Sequence, residues 1–254
     1  MTNPPIVSGK SRRLDVVLVE TGAFPTRARA QAAVKAGLVR VNGAIETKPA
    51  AGIADGEEIA VDGDVHPYVS RGGVKLEAAL DAFGIDPAGA VCLDLGASTG
   101  GFCDVLLRRD AAKIYAVDVG SGQLHPRIAS DPRVVNLEKT HAKDLTRALI
   151  LDPVGLLVCD LSFISLRKAL PPAMALTVIG ARAAVLVKPQ FELGREKIGK
   201  GGIVAASETE VSAMLEEVKV WFERAGWRVD GAIESPIAGG DGNREFLLGA
   251  IRTA

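Results

Sequence analysis

The sequence predicts an α/β protein in which a doubly wound, mostly parallel sheet follows a small α+β module. Two observations carry this. From residue 71 onward, apolar strand-like segments alternate with helical ones, the rhythm of a parallel sheet covered by helices on both faces. Ahead of it, residues 11–65 hold a tighter pattern of two short helices and a few strands joined by turn dipeptides. A chain of 254 residues, 48% hydrophobic and 24% charged, has room for a small and a medium domain and the apolar content for a sizeable core.

In the module, apolar periodicity around Leu14, Val17 and Leu18 predicts a first helix. Phe24-Pro25-Thr26 then introduces an alanine-rich helix over 27–36, ended by Gly37. Val39-Arg40-Val41 runs into the hairpin dipeptide Asn42-Gly43, and Ile59-Ala60-Val61 follows the turn signal Asp55-Gly56. His66-Pro67-Tyr68 reads as a connection, so the expected division is a domain over 1–65, a linker at 66–70 and a domain over 71–254. In the larger part, strands are predicted at 91–95, 114–119, 134–137, 156–161, 184–187, 227–233 and 246–251. Helices fall between them, the clearest over 208–225 and closed by Gly226. No helix separates the last two strands, which are therefore expected to pair as an antiparallel edge.

A net charge of -1 leaves local clustering of Lys and Arg as the only source of affinity for nucleic acid. The sequence has no uninterrupted apolar run of membrane-spanning length, and its N-terminus lacks the apolar core of a signal peptide, which predicts a cytoplasmic protein with no membrane segment. Cys92, Cys103 and Cys159 are too few for a disulfide framework and lack zinc-site spacing, so buried free thiols and no metal are expected.

Positive charge does cluster in the module. Within residues 1–48, the basic residues Lys10, Arg12, Arg13, Arg27, Arg29, Lys35, Arg40 and Lys48 face only three acids, Asp15, Glu20 and Glu46. Arg27, Arg29 and Lys35 lie on or beside one predicted helix, where they either meet a phosphate backbone or form a solvated face. The pattern Arg13-Leu14-Asp15, Thr26-Arg27-x-x-Ala30 and Gly37-Leu38-Val39-Arg40-Val41-Asn42-Gly43 resembles the RNA-binding domain of ribosomal protein S-four. That resemblance implies RNA gripped by its shape and phosphates, with Arg12, Arg13, Arg27, Arg29, Lys35 and Arg40 as candidate contacts.

Val91-Cys92-Leu93-Asp94-Leu95 is an apolar strand running into the turn Gly96-Ala97-Ser98-Thr99-Gly100-Gly101-Phe102 and then a helix. Glycine at 96 and 100 permits backbone angles barred to other residues and lets a ligand approach the main chain. The spacing is not the G-x-G-x-x-G of a dinucleotide site, and Asp94 would repel a pyrophosphate. The sulfonium and amino groups of S-adenosylmethionine suit this carboxylate better. Asp118, in Ala116-Val117-Asp118-Val119-Gly120, ends the second strand where a ribose diol would be hydrogen-bonded. Taken singly, Asp94 also reads as a cap of the turn and Asp118 as a solvated strand end. Together they favour S-adenosylmethionine, with Asp94, Gly96, Ser98, Thr99, Gly100, Gly101, Phe102, Asp118 and Asp160 as candidate contacts.

Four further segments carry polar residues at the ends of apolar elements: Ser70-Arg71-Gly72-Gly73-Val74-Lys75-Leu76, Val158-Cys159-Asp160-Leu161-Ser162-Phe163, Leu186-Val187-Lys188-Pro189-Gln190-Phe191-Glu192 and Gly242-Asn243-Arg244-Glu245-Phe246. Ligands of doubly wound sheets collect at the carboxyl ends of the strands, so Asp160 and Lys188 are expected to converge. A lysine directly after a buried strand is costly unless it is functional or sits in a plain ion pair with Asp160. These motifs, with the turn at 94–102 and Ala116-Val117-Asp118-Val119-Gly120, resemble the TlyA (haemolysin A) family of rRNA 2'-O-methyltransferases, whose catalytic half is similar to FtsJ-type RNA methyltransferases.

The resemblance implies a Rossmann-like S-adenosylmethionine-dependent methyltransferase sheet behind a small α+β RNA-binding domain. It further implies methyl transfer to a ribose 2'-hydroxyl of ribosomal RNA, at a cytidine of the large subunit, and a tetrad of Lys75, Asp160, Lys188 and Glu245. A ribose hydroxyl is a poor nucleophile and needs a positioned base. A lysine buried beside a second lysine releases its proton more readily than a solvated one, which marks Lys188 as the base and Lys75 as the neighbouring charge. Asp160 and Glu245 then orient the ammonium groups.

One segment departs from the pattern. His141 and Lys143 stand where relatives often carry Asn and Arg, so adenine contacts there stay open and His141 equally reads as a solvated loop residue. The glycine- and lysine-rich stretch 194–202 reads as a mobile loop beside the site, either clamping RNA or disordered. Three other functions compete. A membrane-active haemolysin lacks both a spanning segment and a strongly basic amphipathic helix here. A non-catalytic RNA-binding assembly factor has no need of the tetrad, and a pseudouridine synthase sharing the N-terminal module has no use for residues 94–101.

Overall fold

Successive residues of a strand point to opposite faces of its sheet, so the apolar central strands of this chain demand helices on both sides. The computed structural model describes residues 11–254 except 22, 25, 36, 55 and 62–65, and at Arg29 and Arg195 the backbone alone. Lys10 of the basic cluster, and Pro25, Ala36 and Asp55 of the expected elements, lie outside the described residues. The chain divides into two units, Met1–Val65 and His66–Ala254.

In the first unit, β1 (Arg12–Arg13) leads into α1 (Leu14–Glu20) and α2 (Arg27–Lys35), followed by β2 (Val39–Val41), β3 (Ala44–Ile45), β4 (Gly52–Ile53) and β5 (Ile59–Val61). β2 is flanked by β3 and β5, and β1 pairs with β4, all antiparallel. Asn42 and Gly43 turn the β2–β3 hairpin, both with positive φ, as a two-residue loop of this kind requires. Leu14, Leu18, Ala30, Val34 and Val39 form the unit's own core.

The second unit runs α3 (Gly72–Ala82), β6 (Val91–Leu95), α4 (Gly101–Arg108), β7 (Lys113–Val117), α5 (Pro126–Ala129), β8 (Val134–Leu137), β9 (Val154–Cys159), α6 (Leu166–Met174), β10 (Thr177–Val187), α7 (Pro189–Glu192), α8 (Glu208–Arg224), β11 (Trp227–Glu234) and β12 (Phe246–Arg252). The sheet order is β11-β12-β10-β9-β6-β7-β8. β12 is antiparallel to both neighbours and the remaining pairings are parallel. Leu93, Leu95, Val185 and Val187 pack under α6 and α8 on one face, while Cys92, Ile114, Val158 and Leu186 meet α3 and α4 on the other. Each such leucine or valine, fully buried, contributes roughly 1.5–3 kcal/mol. All three cysteines are buried and free.

The last two strands do pair antiparallel, but β12 lies inside the sheet, between β11 and β10. β10 starts at Thr177, far earlier than the expected 184; Gly180 and Arg182 interrupt its apolar run and hid the first half in the sequence, and a register shift falls between Thr177 and Arg182. Residues 66–70, expected as a linker, pack onto the second unit: Val69 is buried and its N–H donates to the Asp104 carboxylate at 2.9 Å. Arg108 lies over the Tyr68 ring at 5.5 Å, which fixes the same segment. Stretch 194–202, expected as a mobile loop, contains the short 3-10 turns Arg195–Lys197 and Lys200–Gly202.

Candidate active site

β6 stands where the sheet reverses direction, with β7 on one side and β9 on the other, and ligands of open α/β sheets bind beyond the carboxyl ends of such strands. The turn leaving β6 takes left-handed backbone angles at Gly96, Ser98 and Gly100. A Cβ on Gly96 would lie 2.5 Å from the carbonyl oxygen of Asp160, so only glycine fits there. The N–H groups of Ser98 and Gly120 donate to the two oxygens of Asp118, at 2.8 and 2.7 Å, binding the turn after β6 to the turn after β7. Between them opens a cleft of about 330 Å³ whose lining includes Gly96, Ser98, Asp118, Gln123, Thr140 and Asp160.

Asp94 lies buried at the end of β6, on the face that α4 covers. Its Oδ2 accepts the Cys103 thiol at 3.1 Å and its Oδ1 has no hydrogen-bond partner. Burial pushes this carboxyl up to about 7, and the charges of Asp160 and Asp118 add to the rise.

The cleft thus collects Gly96, Ser98, Asp118 and Asp160 of the expected cofactor contacts. Asp94, Thr99, Gly100, Gly101 and Phe102 do not line it. Gly100 caps α4, where a Cβ would run into Leu124 and Ile128, and Gly101 lets the start of α4 approach Gly72 and Gly73 at the start of α3. Phe102, expected at the cofactor, is only 4% exposed and belongs to the core between α4 and the sheet. The Thr99 carbonyl accepts the N–H of His125 at 3.2 Å. Sequence reasoning missed Gln123, which comes from a loop with no motif of its own. In the segment around His141, Thr140 and Ala142 line the cleft while His141 is exposed.

The four tetrad residues form two ion pairs. Lys188, the residue after β10, places Nζ 2.5 Å from Asp160 Oδ1 and donates to Ser162 Oγ at 3.0 Å. Lys75, on α3, places Nζ 2.5 Å from Glu245 Oε2, with both side chains buried. Strand register explains the convergence: Val187 pairs with Phe246, so Lys188 and Glu245 leave neighbouring strands together. Asp160 is held by its own N–H, which donates to the Leu95 carbonyl at 2.9 Å. Asn243, buried beside this segment, accepts the Val204 N–H at 2.8 Å and donates to the Gly202 carbonyl at 2.9 Å, tying the 194–202 stretch to it. Glu192, part of the same motif as Lys188, receives the Ser165 hydroxyl and the Leu166 N–H and so anchors the start of α6. At the cleft's rim, Phe163 is 92% exposed on left-handed backbone, its ring 5.4 Å from that of Phe191.

In the first unit, Arg12 pairs with Glu20 at 2.9 Å, and Arg13 and Arg27 both bind Asp15. Lys35 is exposed at the end of α2, and Arg40 donates to the Gly43 carbonyl at 3.1 Å. The side chain of Arg29 lies outside the described residues.

The family model of FtsJ-like methyltransferases matches residues 68–252, and that of the S4 domain matches residues 12–59. The chain is 43% identical, over 93% of its length and 88% of the relative's, to the 16S/23S rRNA (cytidine-2'-O)-methyltransferase TlyA of Mycobacterium tuberculosis. It belongs to the TlyA family of FtsJ-like methyltransferases. Another relative, Hemolysin A of Brachyspira hyodysenteriae, is 38% identical over 92% of this chain and 98% of its own. Among solved structures, one titled "Putative hemolysin from Streptococcus thermophilus" superposes with a TM-score of 0.76 at 40% identity, covering 96% of this chain and 89% of that one. Despite such names, no helix among the described residues is long and apolar enough to cross a membrane.

Proposed function

We propose that this TlyA-family chain transfers a methyl group from S-adenosylmethionine to the ribose 2'-hydroxyl of a cytidine in ribosomal RNA. The observation that carries the reading is the double role of Asp160, which lines the cleft and also holds Lys188. A base and a cofactor pocket that share one residue are a base and a pocket within reach of one substrate atom.

The residues fit the cofactor. Gly96 leaves the main chain bare, Asp118 presents a carboxylate to a ribose diol, and the unpartnered Oδ1 of Asp94 lies beneath a turn suited to a cationic ligand. When bound, S-adenosylmethionine supplies an electrophilic methyl group on a sulfonium. Lys188 Nζ, steered by Asp160 and Ser162, is the group placed to take the proton of the attacking hydroxyl. The Lys75–Glu245 pair fixes the end of β12 beside Lys188. Phe163 offers a base an exposed aromatic face at the rim. A large-subunit rRNA target accords with the TlyA name of the mycobacterial relative, and ribosomal RNA as substrate implies a cytoplasmic protein.

The test is methyl incorporation from labelled cofactor into rRNA by purified protein, with 2'-O-methyl positions mapped in cells with and without the gene. Lys188→Ala is expected to lower incorporation by roughly 10²–10⁴-fold while cofactor affinity by calorimetry stays close to wild type. Near-normal turnover in that variant removes Lys188 from the chemistry.

A further inference from the structure

The side chain of Asp15 is fully buried at the start of α1, yet two of its partners are half in solvent. Arg13 grips it with two prongs, Nε to Oδ1 at 3.0 Å and Nη2 to Oδ2 at 2.9 Å. From α2, Arg27 Nη2 donates at 3.1 Å and Gln31 Nε2 at 2.6 Å, both to Oδ2, from positions four apart on one helix face. The backbone is held as well, since the Asp15 N–H donates to the Pro49 carbonyl at 3.0 Å. The carboxylate therefore cannot move without breaking several bonds. The hydrogen bonds from Arg13 keep its carboxyl well below the usual range, so the negative charge is permanent at neutral pH.

Arg13 and Arg27 keep 49% and 55% of their side-chain surface exposed. A guanidinium has five N–H donors, and Asp15 occupies two on Arg13 and one on Arg27, so the outward edges stay available for an anion. One acid against two cations leaves the cluster with a positive charge. We propose that Asp15 is the positioning residue of a phosphodiester clamp, holding the guanidinium planes of Arg13 and Arg27 in the orientation that grips the RNA backbone. This rests on the reading of the first unit as the RNA anchor. Fixing two long side chains before the ligand arrives removes an ordering cost from binding, and planar forks match phosphate oxygens in pairs.

Net charge and positioning give opposite signs for one substitution. Asp15→Asn deletes a negative charge beside the RNA, which by Coulomb's law alone tightens binding. If Asp15 positions the clamp, binding weakens, by about 10-fold. The experiment measures affinity of the full-length protein for an in vitro transcribed large-subunit rRNA fragment across a salt series, with thermal unfolding as a check on the fold. Arg13→Lys/Arg27→Lys keeps both charges but loses the forks, and a similar weakening is expected. Arg13→Ala/Arg27→Ala is expected to weaken binding further and to flatten the salt slope by about 0.7–0.9 for each phosphate left without its arginine. Equal or tighter binding by a folded Asp15→Asn protein overturns the proposal. Should that variant not fold, the double-lysine protein decides, and unchanged affinity there overturns it equally. If even the double-alanine protein binds with wild-type affinity and slope, the RNA-anchor reading itself falls, and the clamp with it.

Discussion

Burying a carboxylate with one oxygen unpartnered costs stability, and Asp94 carries that cost beneath the turn that leaves β6. Its carboxyl stands at about 7 in the native protein, against about 3.9 in an unfolded chain. Below about pH 4 both states hold the proton, and the group takes nothing from stability. Between about pH 4 and 7 the unfolded chain releases a proton that the native state keeps, so stability falls as pH rises, and above about 7 the loss is complete. Asp94→Asn is therefore expected to melt several degrees above wild type near pH 8, with the difference shrinking toward pH 4, in thermal scans without cofactor. A difference that does not change with pH would mean that Asp94 does not titrate in this range. The strand-end acid was legible because it interrupts an apolar run; its lone oxygen was not, since that depends on Cys103 arriving from α4.

At the scale of elements, the turn between β6 and α4 is the demanding piece. Gly96→Ala forces a Cβ into left-handed backbone and onto the Asp160 carbonyl, which requires either the turn or the end of β9 to shift. The left-handed conformation alone costs about 1–2 kcal/mol, and cofactor affinity by calorimetry is expected to fall at least about 10-fold. Unchanged affinity would place the cofactor away from this turn. Gly100 and Gly101 looked alike in the sequence, yet Gly100 faces Leu124 and Ile128 while Gly101 faces the start of α3, because a glycine run does not say which backbone comes near it. β10 was legible only in its second half, where Ala184-Val185-Leu186-Val187 is uninterrupted; its start pairs with β9 at Thr177 and with both β9 and β12 only from Arg182 on.

For the whole molecule, each unit has its own core, Leu14 to Ile53 in one and the two faces of the sheet in the other. Deleting residues 1–65 is accordingly expected to leave a folded protein that binds cofactor as the intact chain does. RNA affinity is expected to drop sharply, with a salt slope shallower by about 0.7–0.9 for every phosphate the first unit neutralises. Calorimetry and a salt series of RNA binding check the two halves of this expectation. Equal RNA affinity and slope in the intact and truncated proteins would assign the grip to the catalytic unit.

Apolar runs, glycine turns and strand-end charges are written in neighbouring residues, so, while the tetrad rested on the family resemblance, the α/β class and most strands could be read directly. Pairing could not. Lys75 meets Glu245 across 170 residues, and it does so because α3 packs on the sheet while β12 inserts beside β10. The same holds for Asp15, one acid among three in residues 1–48 until α2 folds back and brings Arg27 and Gln31 onto its carboxylate. Local pattern is set by each residue's own preference for backbone and burial, whereas a partner at long range is set by how the elements close on one another.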